Sequence, residues 1–331
     1  MSQSTDTEIK GNPGIKQSSG QAVFLKRLFK EKPLGFIGGV IVVLLLLTGI
    51  FANLLAPYPY DQNHLADRLK PPGTKYIFGT DSTGRDVFSR VIYGARISMI
   101  IGLAATLLST VISNMIGLFS GFIGGTFDLV VQRFIDTWLC LPWLVLLLLL
   151  ISLTGAGIVQ LILVLGISGG IGGSRGPRML VMWFKQNAYV GAARAIGQNT
   201  WGIVIHHLLR NIMPFLIVGF SMGVGGTILA EASLSFLGFG VPPPFPSWGQ
   251  MISGYGAYYM ERAPWMALFP GLALTIAIWA MNMFGDAARD LLDPRLRGGV
   301  GGMGAYGAKQ SKKVLRKIIA NAEKIARGQP S

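Results

Sequence analysis

Six stretches of about 20 mostly apolar residues dominate this 331-residue chain. A helix needs roughly 20 apolar residues to cross the hydrocarbon core of a bilayer. Because backbone polar groups inside a bilayer must be satisfied within their own segment, each stretch is predicted to be a helix. The stretches are 34–56, 97–122, 129–153 (with Pro142 inside it), 158–173, 212–236 and 266–285. The sequence therefore predicts an all-α polytopic membrane protein with six transmembrane helices.

The composition agrees with a membrane protein. Hydrophobic residues make up 51% of the chain and charged residues 13%, whereas soluble domains carry about 25% charged residues. The net charge of +14 is interpreted as a topology signal, not as a nucleic-acid footprint. The single cysteine, Cys140, excludes an internal disulfide. The adjacent His206 and His207 diverge on a helix, so no metal site is expected.

Lys and Arg set the orientation of the spans. With the N-terminus inside, the inner loops hold more Lys and Arg than the outer ones, even before either tail is counted. Both termini and the loop 174–211 are therefore predicted to be cytoplasmic, and the segment 57–96 extracytoplasmic. The polar, Gly/Ser-rich residues 1–22 lack the apolar core of a signal peptide and are predicted to be a disordered tail.

Two amphipathic segments flank the predicted six-span domain, 34–297. Residues 23–33 are expected to lie in the inner membrane interface as a short amphipathic helix, in which apolar side chains (Val23, Phe24, Leu25, Leu28 and Phe29) oppose basic ones (Lys26, Arg27 and Lys30). Residues 298–331 combine a Gly-rich linker with a basic amphipathic helix, which would lie on anionic lipid or dock on a partner. We favour the membrane surface.

A short motif stands out in the loop 174–211. Ala192, Ala193 and Gly197 form an Ala-Ala-x-x-x-Gly pattern, and the residues around it favour helix. A glycine at this spacing allows one short helix to turn onto the next. The loop is therefore predicted to form a compact helical knob that can enter a cleft on another protein.

Four segments in the same order resemble the permease subunits of the peptide/nickel branch of ATP-binding-cassette (ABC) importers. They are GTDSTGRDVFSR with GARIS (79–98), YVGAARAIG (189–197), EASLSFLGFG with PSWG (231–249) and LDPRL (292–296). The resemblance runs from residue 23 to about 297. It implies a type I importer architecture, in which a cytoplasmic coupling motif docks on an ATPase. Here that motif is Tyr189, Gly191, Ala192, Ala193, Arg194 and Gly197.

The resemblance also implies partners. They are a homologous second permease, two ATPase subunits that bind ATP and Mg, and an extracytoplasmic binding protein. The sequence contains no Gly-Lys dipeptide, so it lacks the motif of a phosphate-cradling loop. The chain is therefore expected to bind no cofactor and to catalyse no reaction. The family's coupling motif usually begins with Glu, where this chain has Gly191. The family usually has a proline thirteen residues after the motif's glycine, where this chain has Arg210. Pro214 matches a second proline of the family pattern. Family substrates are peptides, and in some members oligosaccharides or nickel.

The segment ahead of the second span carries the family's outer signature. Asp81 with Arg85 and Asp86 with Arg90 have i,i+4 spacing, which favours a helix starting near Ser82. This helix would be a solvated interfacial element, or a surface that meets a binding protein or gates the mouth. The outer signature residues are Thr80, Asp81, Gly84, Arg85, Asp86 and Arg90.

Glu231 lies inside the fifth span, where an ionisable group is costly and usually faces protein or water. It would line the transport path or form a structural bond within the bundle. The alternative function is a self-sufficient secondary transporter or channel. Such a protein would need inverted repeats or several intramembrane charges, and we find no convincing repeat and no second deep carboxylate. The chain is expected in the cell inner membrane.

Overall fold

The computed structural model describes residues 28–292, and within them the chain is helical with no β-strand. This confirms the predicted all-α fold. The main helices are α1 (Pro33–Ile50), α2 (Val87–Ile123), α3 (Gly125–Leu139), α4 (Trp143–Thr154), α5 (Ile158–Gly173), α6 (Arg175–Phe184), α7 (Ala188–Ala195), α8 (Arg210–Phe236) and α9 (Trp265–Leu292). Short helices at Ala52–Leu55, Thr200–Gly202, Trp248–Ile252 and Tyr255–Tyr258, a 3-10 turn at Leu65–Asp67 and a π-helix at Ile203–Leu209 complete the set.

Five of the six predicted spans are continuous helices long and apolar enough to cross a membrane. The third is different, because α3 and α4 meet at an angle of 87°. Pro142 stands at this break, where it disfavours helix for the preceding residue and supplies no N–H. The prediction of one helix over 129–153 is therefore corrected to a bent pair, which makes the sixth span if it crosses as one unit.

The fifth span also begins earlier than predicted. Helix α8 continues the π-helix Ile203–Leu209 and contains Pro214. Pro214 has no N–H to donate to the carbonyl of Arg210, one turn earlier, so the regular bonding pattern is interrupted close to the π-helix.

Helix α2 occupies the centre of the bundle, against α1, α5, α6 and α8. Its contact with α5 is close because glycines of α5 face it. A Cβ added at Gly170 would lie 2.6 Å from the Cβ of Ile112, and one at Gly166 would lie 2.6 Å from Leu108. Small residues of this kind allow membrane helices to approach and gain dispersion contacts.

The loops gather at two opposite ends of the bundle. The inner end, named for the predicted cytoplasmic side, contains α6, α7 and the residues joining α2 to α3. It is tied together by the Arg178–Asp128 ion pair and by Lys32 with Asp290 at 2.5 Å. The outer end contains residues 56–86 and 237–264, joined where the Trp265 indole donates to the carbonyl of Thr80 (3.1 Å). Segments that were predicted to lie on the same side of the membrane thus lie at the same end of the helix bundle.

The interfacial helix predicted at 23–33 is described only in part. Residues 28–31 are helical, and Leu28 is buried against Ala287 and Leu291 of α9. The predicted tail at 1–22, the closing motif beyond Leu292 and the C-terminal segment 298–331 lie outside the described residues, and the domain boundaries stay predictions.

Candidate functional site

The coupling motif forms a helix that ends in a glycine turn at the inner end. Helix α7 spans eight residues, and Gly197 follows it with a φ of +78°. The amide of Gly197 donates to the carbonyl of Arg194 (3.0 Å), and that of Gln198 donates to Ala193 (3.1 Å). This pair of bonds is a Schellman motif, which needs a left-handed residue after the helix. The predicted helical knob is therefore present, and Gly197 makes its turn.

The next helix of the loop starts immediately. Asn199 caps it, because its side-chain oxygen accepts from the amide of Gly202 at 2.7 Å. His207 holds the turn from the other side through Gln198, with 2.8 Å between Nε2 and Oε1. A glycine turn, a helix cap and a helix thus follow one another in the sequence, and together they fix the direction in which the chain enters α8.

One face of α7 anchors the loop to the membrane helices. Val190 and Ala193 are buried in an apolar cluster with Leu118 and Phe122 of α2 and Val181 of α6. The cluster continues through the π-helix to Ile212 at the start of α8. Because buried side chains are close-packed and resist deformation, a displacement of α7 would be transmitted to three helices at once.

The other face of α7 is exposed. Gly191, Ala192 and Arg194 are exposed, Tyr189 is partly so, and Ile196 at the tip is 83% exposed. A Cβ added at Gly191 would meet nothing within 4 Å. A small, apolar and convex surface of this kind can insert into a cleft with little side-chain rearrangement. The missing family glutamate would have pointed away from the bundle, so its absence leaves the fold of the loop unaffected.

Basic side chains surround this knob. The Arg194 guanidinium lies 5.5 Å from the centre of the Phe122 ring, and the Lys185 ammonium lies 5.4 Å from it. Lys185 also donates to the carbonyl of Phe122, at the end of α2. Cations near a helix C-terminus interact favourably with its free carbonyls, so these residues further fasten the loop to the second span.

The outer signature forms a turn and a cap where a helix was predicted. Helix α2 begins at Val87, five residues later than the expected start near Ser82. Asp86 is its N-cap and accepts from the amide and hydroxyl of Ser89 (2.8 and 2.6 Å). No Asp86–Arg90 ion pair is found within residues 28–292, which corrects that part of the prediction. A capping carboxylate is already engaged with the first-turn donors.

Asp81 is the centre of the outer signature and is 6% exposed. Its carboxylate accepts from the amides of Thr83 (2.8 Å) and Arg85 (2.9 Å) and from the Arg85 guanidinium (2.6 Å), with Arg90 3.8 Å away. Burial opposes the charge, but Arg85 and Arg90 and these bonds prevail and hold the pKa of Asp81 below its ordinary value. The predicted Asp81–Arg85 pair is thus formed, within a turn and shielded from solvent.

Arg90 carries this network across the outer end. It is 3% exposed, donates to the carbonyl of Tyr60 (2.9 Å) and reaches the amide oxygen of Gln250 at 3.4 Å. Thr80 joins the same structure, since its hydroxyl accepts from the amide of Lys70 at 2.8 Å. The outer signature therefore ties the segment after the first span to the loop before the sixth.

Glu231 lies in α8 and is 1% exposed. One carboxylate oxygen accepts from the hydroxyls of Ser235 (2.7 Å) and Ser247 (2.8 Å). The other oxygen has no partner within residues 28–292. These bonds are of the kind expected for a structural role within the bundle, and a role in the transport path stays a prediction.

Two residues that the sequence did not single out organise the outer end. Asp67 accepts from Lys75 (2.7 Å) and Tyr76 (2.8 Å) and pairs with Lys70. Trp248 is fully buried, donates to the carbonyl of Val91 (3.0 Å) and packs where a Cβ on Gly94 would lie 2.9 Å from its ring. Trp248 stands in the quoted PSWG segment, which carried the only sequence signal for it.

Comparison with known proteins identifies two matching family models. Residues 113–298 match the model described as "Binding-protein-dependent transport system inner membrane component". Residues 24–72 match the one described as "N-terminal TM domain of oligopeptide transport permease C". The first match contains the coupling motif and Glu231.

Several known proteins match this chain over nearly the full length of their own sequences. The oligopeptide transport system permease protein OppC of Bacillus subtilis is 37% identical over 269 residues, 81% of this chain and 88% of the relative. A probable D,D-dipeptide transport system permease protein of Escherichia coli is 36% identical, covering 86% and 95%. A dipeptide transport system permease protein of Alkalihalophilus pseudofirmus is 34% identical, covering 82% and 89%.

A likeness to a solved structure is weaker. A chain from the MetNI methionine ABC transporter, in an inward-facing conformation, is 16% identical with a TM-score of 0.49. It covers 62% of this chain and 96% of that chain.

Proposed function

Since this chain belongs to the family of binding-protein-dependent transport system inner membrane components, we propose that it couples solute import to ATP hydrolysis by separate subunits. It is a multi-pass protein of the inner membrane and a permease subunit of an ABC importer. In the proposed complex it stands beside a homologous permease, two ATPases and an extracytoplasmic binding protein. It would itself carry out no catalysis and bind no cofactor; ATP and Mg would be held by the ATPases.

The observation that carries this proposal is the exposed knob at α7. Its tip, Ile196, projects from the inner end, while Val190 and Ala193 on the opposite face are locked into α2, α6 and the start of α8. A knob of this form can transmit a rigid-body movement of an ATPase to the spans. The termini are accordingly proposed to be cytoplasmic, with the inner end facing the ATPases.

The transport path is proposed to lie between this chain and the second permease. Rocking of the spans about that path would expose it alternately to each side of the membrane. Peptides are the proposed substrates, because the relatives are described as dipeptide and oligopeptide permeases. Selection among peptides would rest largely with the binding protein.

The test is purification of the tagged chain from native membranes in mild detergent, with mass spectrometry of what accompanies it. We expect a second permease and ATPase subunits, and ATP-dependent peptide uptake when the complex and its binding protein are reconstituted. Recovery of the chain alone, with uptake that needs no ATP, would contradict the proposal in favour of a secondary transporter.

A further inference from the structure

A groove of about 390 Å³ runs along the second, fourth and fifth spans. It starts at Gly176 and Pro177 at the inner end and reaches the depth of Thr106, near the middle of α2. There the Thr106 hydroxyl donates to the Thr227 hydroxyl (2.9 Å) and links α2 to α8. The volume lies in the range of small-molecule sites, about 300–1,000 Å³.

A polar stripe of α2 lines one wall of this groove. Its members recur at helical spacing and share one face. They are Thr106, Ser109, Thr110, Ser113 and Asn114. A stripe of hydroxyls and an amide in the middle of a 37-residue apolar helix is unfavourable against lipid, because hydrocarbon offers no hydrogen-bond partners.

Part of this stripe has unused hydrogen-bonding capacity. The side-chain hydroxyls of Ser109 and Thr110 make no hydrogen bond within residues 28–292. Asn114 is 8% exposed; its amide donates to the carbonyl of Thr110 (2.7 Å), while its Oδ1 accepts from no described residue. Buried polar atoms are normally satisfied by protein or by water, so this wall requires a polar occupant.

A second groove provides the contrast. It lies between α2 and α3, has about 590 Å³, and is lined by apolar side chains alone, including Met115, Phe119, Phe127 and Phe134. Lipid chains or another apolar helix would suit such a surface. The polar groove is therefore set apart by its chemistry and not by its size.

Among the described residues, no ionisable side chain lines the polar groove. The arginines next to its inner mouth are already paired, Arg175 with Asp136 and Arg178 with Asp128. A wall of hydroxyl and amide groups can exchange hydrogen bonds with neutral polar groups and offers no counter-ion for a charged one.

We propose that this groove is the chain's wall of the transport path and that it contacts the uncharged hydrogen-bonding groups of the solute, such as peptide amides. The inference rests on the proposed function. The opposite wall of the groove supports it: a Cβ at Gly219 or at Gly176 would meet nothing within 4 Å. These two glycines are not needed for close helix packing, and their lack of a side chain leaves the groove open.

Cysteine accessibility tests the proposal directly. A Cys140→Ser background removes the only native thiol, and single cysteines replace Ser109, Thr110 or Ser113. Leu107 and Val111, which are exposed on the same helix but are not among the residues that line the groove, provide matched controls. The chain is assembled with its co-purifying subunits and binding protein in proteoliposomes that contain both orientations, with ATP enclosed or left out, and treated with a positively charged methanethiosulfonate. Because this reagent reacts with the hydrated thiolate, we expect roughly tenfold faster labelling at the groove positions than at the controls.

Uptake measured on the same vesicles separates the two claims. ATP-dependent uptake with no faster labelling in the groove would overturn the groove assignment and leave the proposed function standing, with a partner helix or lipid covering the stripe. Faster labelling in vesicles whose uptake ignores ATP would support a wet path and contradict the ATP-coupled function.

A second variant fills the groove without removing a packed contact. Gly219→Leu should lower uptake at least about tenfold while the assembled complex still hydrolyses ATP, since Gly219 lines the groove and a Cβ there would meet no described atom within 4 Å. Gly271→Leu in α9, which is also open and lies outside the groove, is the matched control. Equal uptake by both variants would contradict the proposal.

Discussion

The two ends of the bundle each contain a family motif, but they use it in opposite ways. At the outer end Thr80, Asp81 and Arg90 are buried. Arg90 donates to the carbonyl of Tyr60, and the carbonyl of Thr80 accepts from Trp265, so the motif joins separate segments of the chain. At the inner end Gly191, Ala192 and Arg194 are exposed, and only Val190 and Ala193 face inward. The first motif maintains the shape of its own chain, and the second presents a surface.

This difference separates two kinds of substitution. Changes at the outer motif should act on folding, because buried charged groups depend on their partners. Changes on the exposed face of α7 should leave folding intact and act on assembly. Four substitutions, taken from the largest expected effect to the smallest, test the division.

Gly84→Ala should have the largest effect. Gly84 has a φ of +79°, and a Cβ there would lie 1.9 Å from the backbone oxygen of His64. We expect little folded protein in the membrane, measured as yield and thermal stability in detergent. Gly155→Ala is the control: φ is +85° and ψ is 163°, but a Cβ there would meet no described atom within 4 Å, so only the backbone strain of this glycine conformation, about 1–3 kcal/mol, applies. Equal losses in both variants would show that the close approach to His64 is unimportant.

Asp81→Asn should come next. It removes the charge that faces Arg85 and the buried Arg90, and breaking a buried pair costs about 3–5 kcal/mol. Thermal unfolding in detergent measures the loss, with exposed Asp61→Asn as the control. A stability change as small as that of Asp61→Asn would contradict the buried network.

The same carboxyl predicts a pH dependence. The pKa of Asp81 in the folded protein is below its ordinary value of 3.8, so its stabilising contribution is present above about pH 4 and is lost as pH falls through the folded value. The Asp81→Asn variant should therefore lose less stability than the wild type between pH 5 and pH 3 (approximate limits). Parallel losses would assign acid sensitivity to other groups.

Gly197→Ala should have a smaller and more local effect. The left-handed conformation costs alanine about 1 kcal/mol, and a Cβ added at Gly197 would meet no described atom within 4 Å. Thermal stability of the whole protein should change little, while stimulation of ATP hydrolysis by the loaded binding protein should fall. A fall in overall stability equal to that of Asp81→Asn would remove the distinction between the two ends.

Gly191→Glu should have the smallest effect on folding. The position is exposed and open, so stability should stay within about 0.5 kcal/mol. This substitution also restores the acid expected from the family resemblance, and ATPase subunits should be retained at least as well during purification. A clear loss of stability would mean that the exposed face of α7 packs against the chain.

Hydropathy predicted the apolar spans, although the helix of the second begins at Val87 and not at 97, and that of the first ends at Ile50 and not at 56. It did not predict the 87° bend at Pro142, because an apolar count over 129–153 does not register where the hydrogen-bonding pattern stops. The i,i+4 charges also gave a wrong helix start, at Ser82 instead of Val87. Asp86 was interpreted as an ion-pair partner, whereas its short side chain accepts from the amide and the hydroxyl of Ser89 in the first turn of α2.

The coupling motif was predictable because the signal is local: one glycine at the end of an alanine-rich helix sets the turn. The outer network could not be predicted in this way, because Arg90 bonds to Tyr60 and Gln250, which are 30 and 160 residues away in the sequence. The polar stripe on α2 was not singled out from the sequence, because only the fold shows that the stripe lines a groove together with Gly219.

Photo-crosslinking from the tip of the knob tests the central claim most directly. Benzoylphenylalanine would replace Ile196, at the exposed tip of the inner end, and Ile77, at the outer end and also exposed, in cells that express the whole transporter. We predict that Ile196 crosslinks to an ATPase subunit and that Ile77 does not. An ATPase crosslink from Ile77, or none from Ile196 in complexes that transport peptide, would contradict the account.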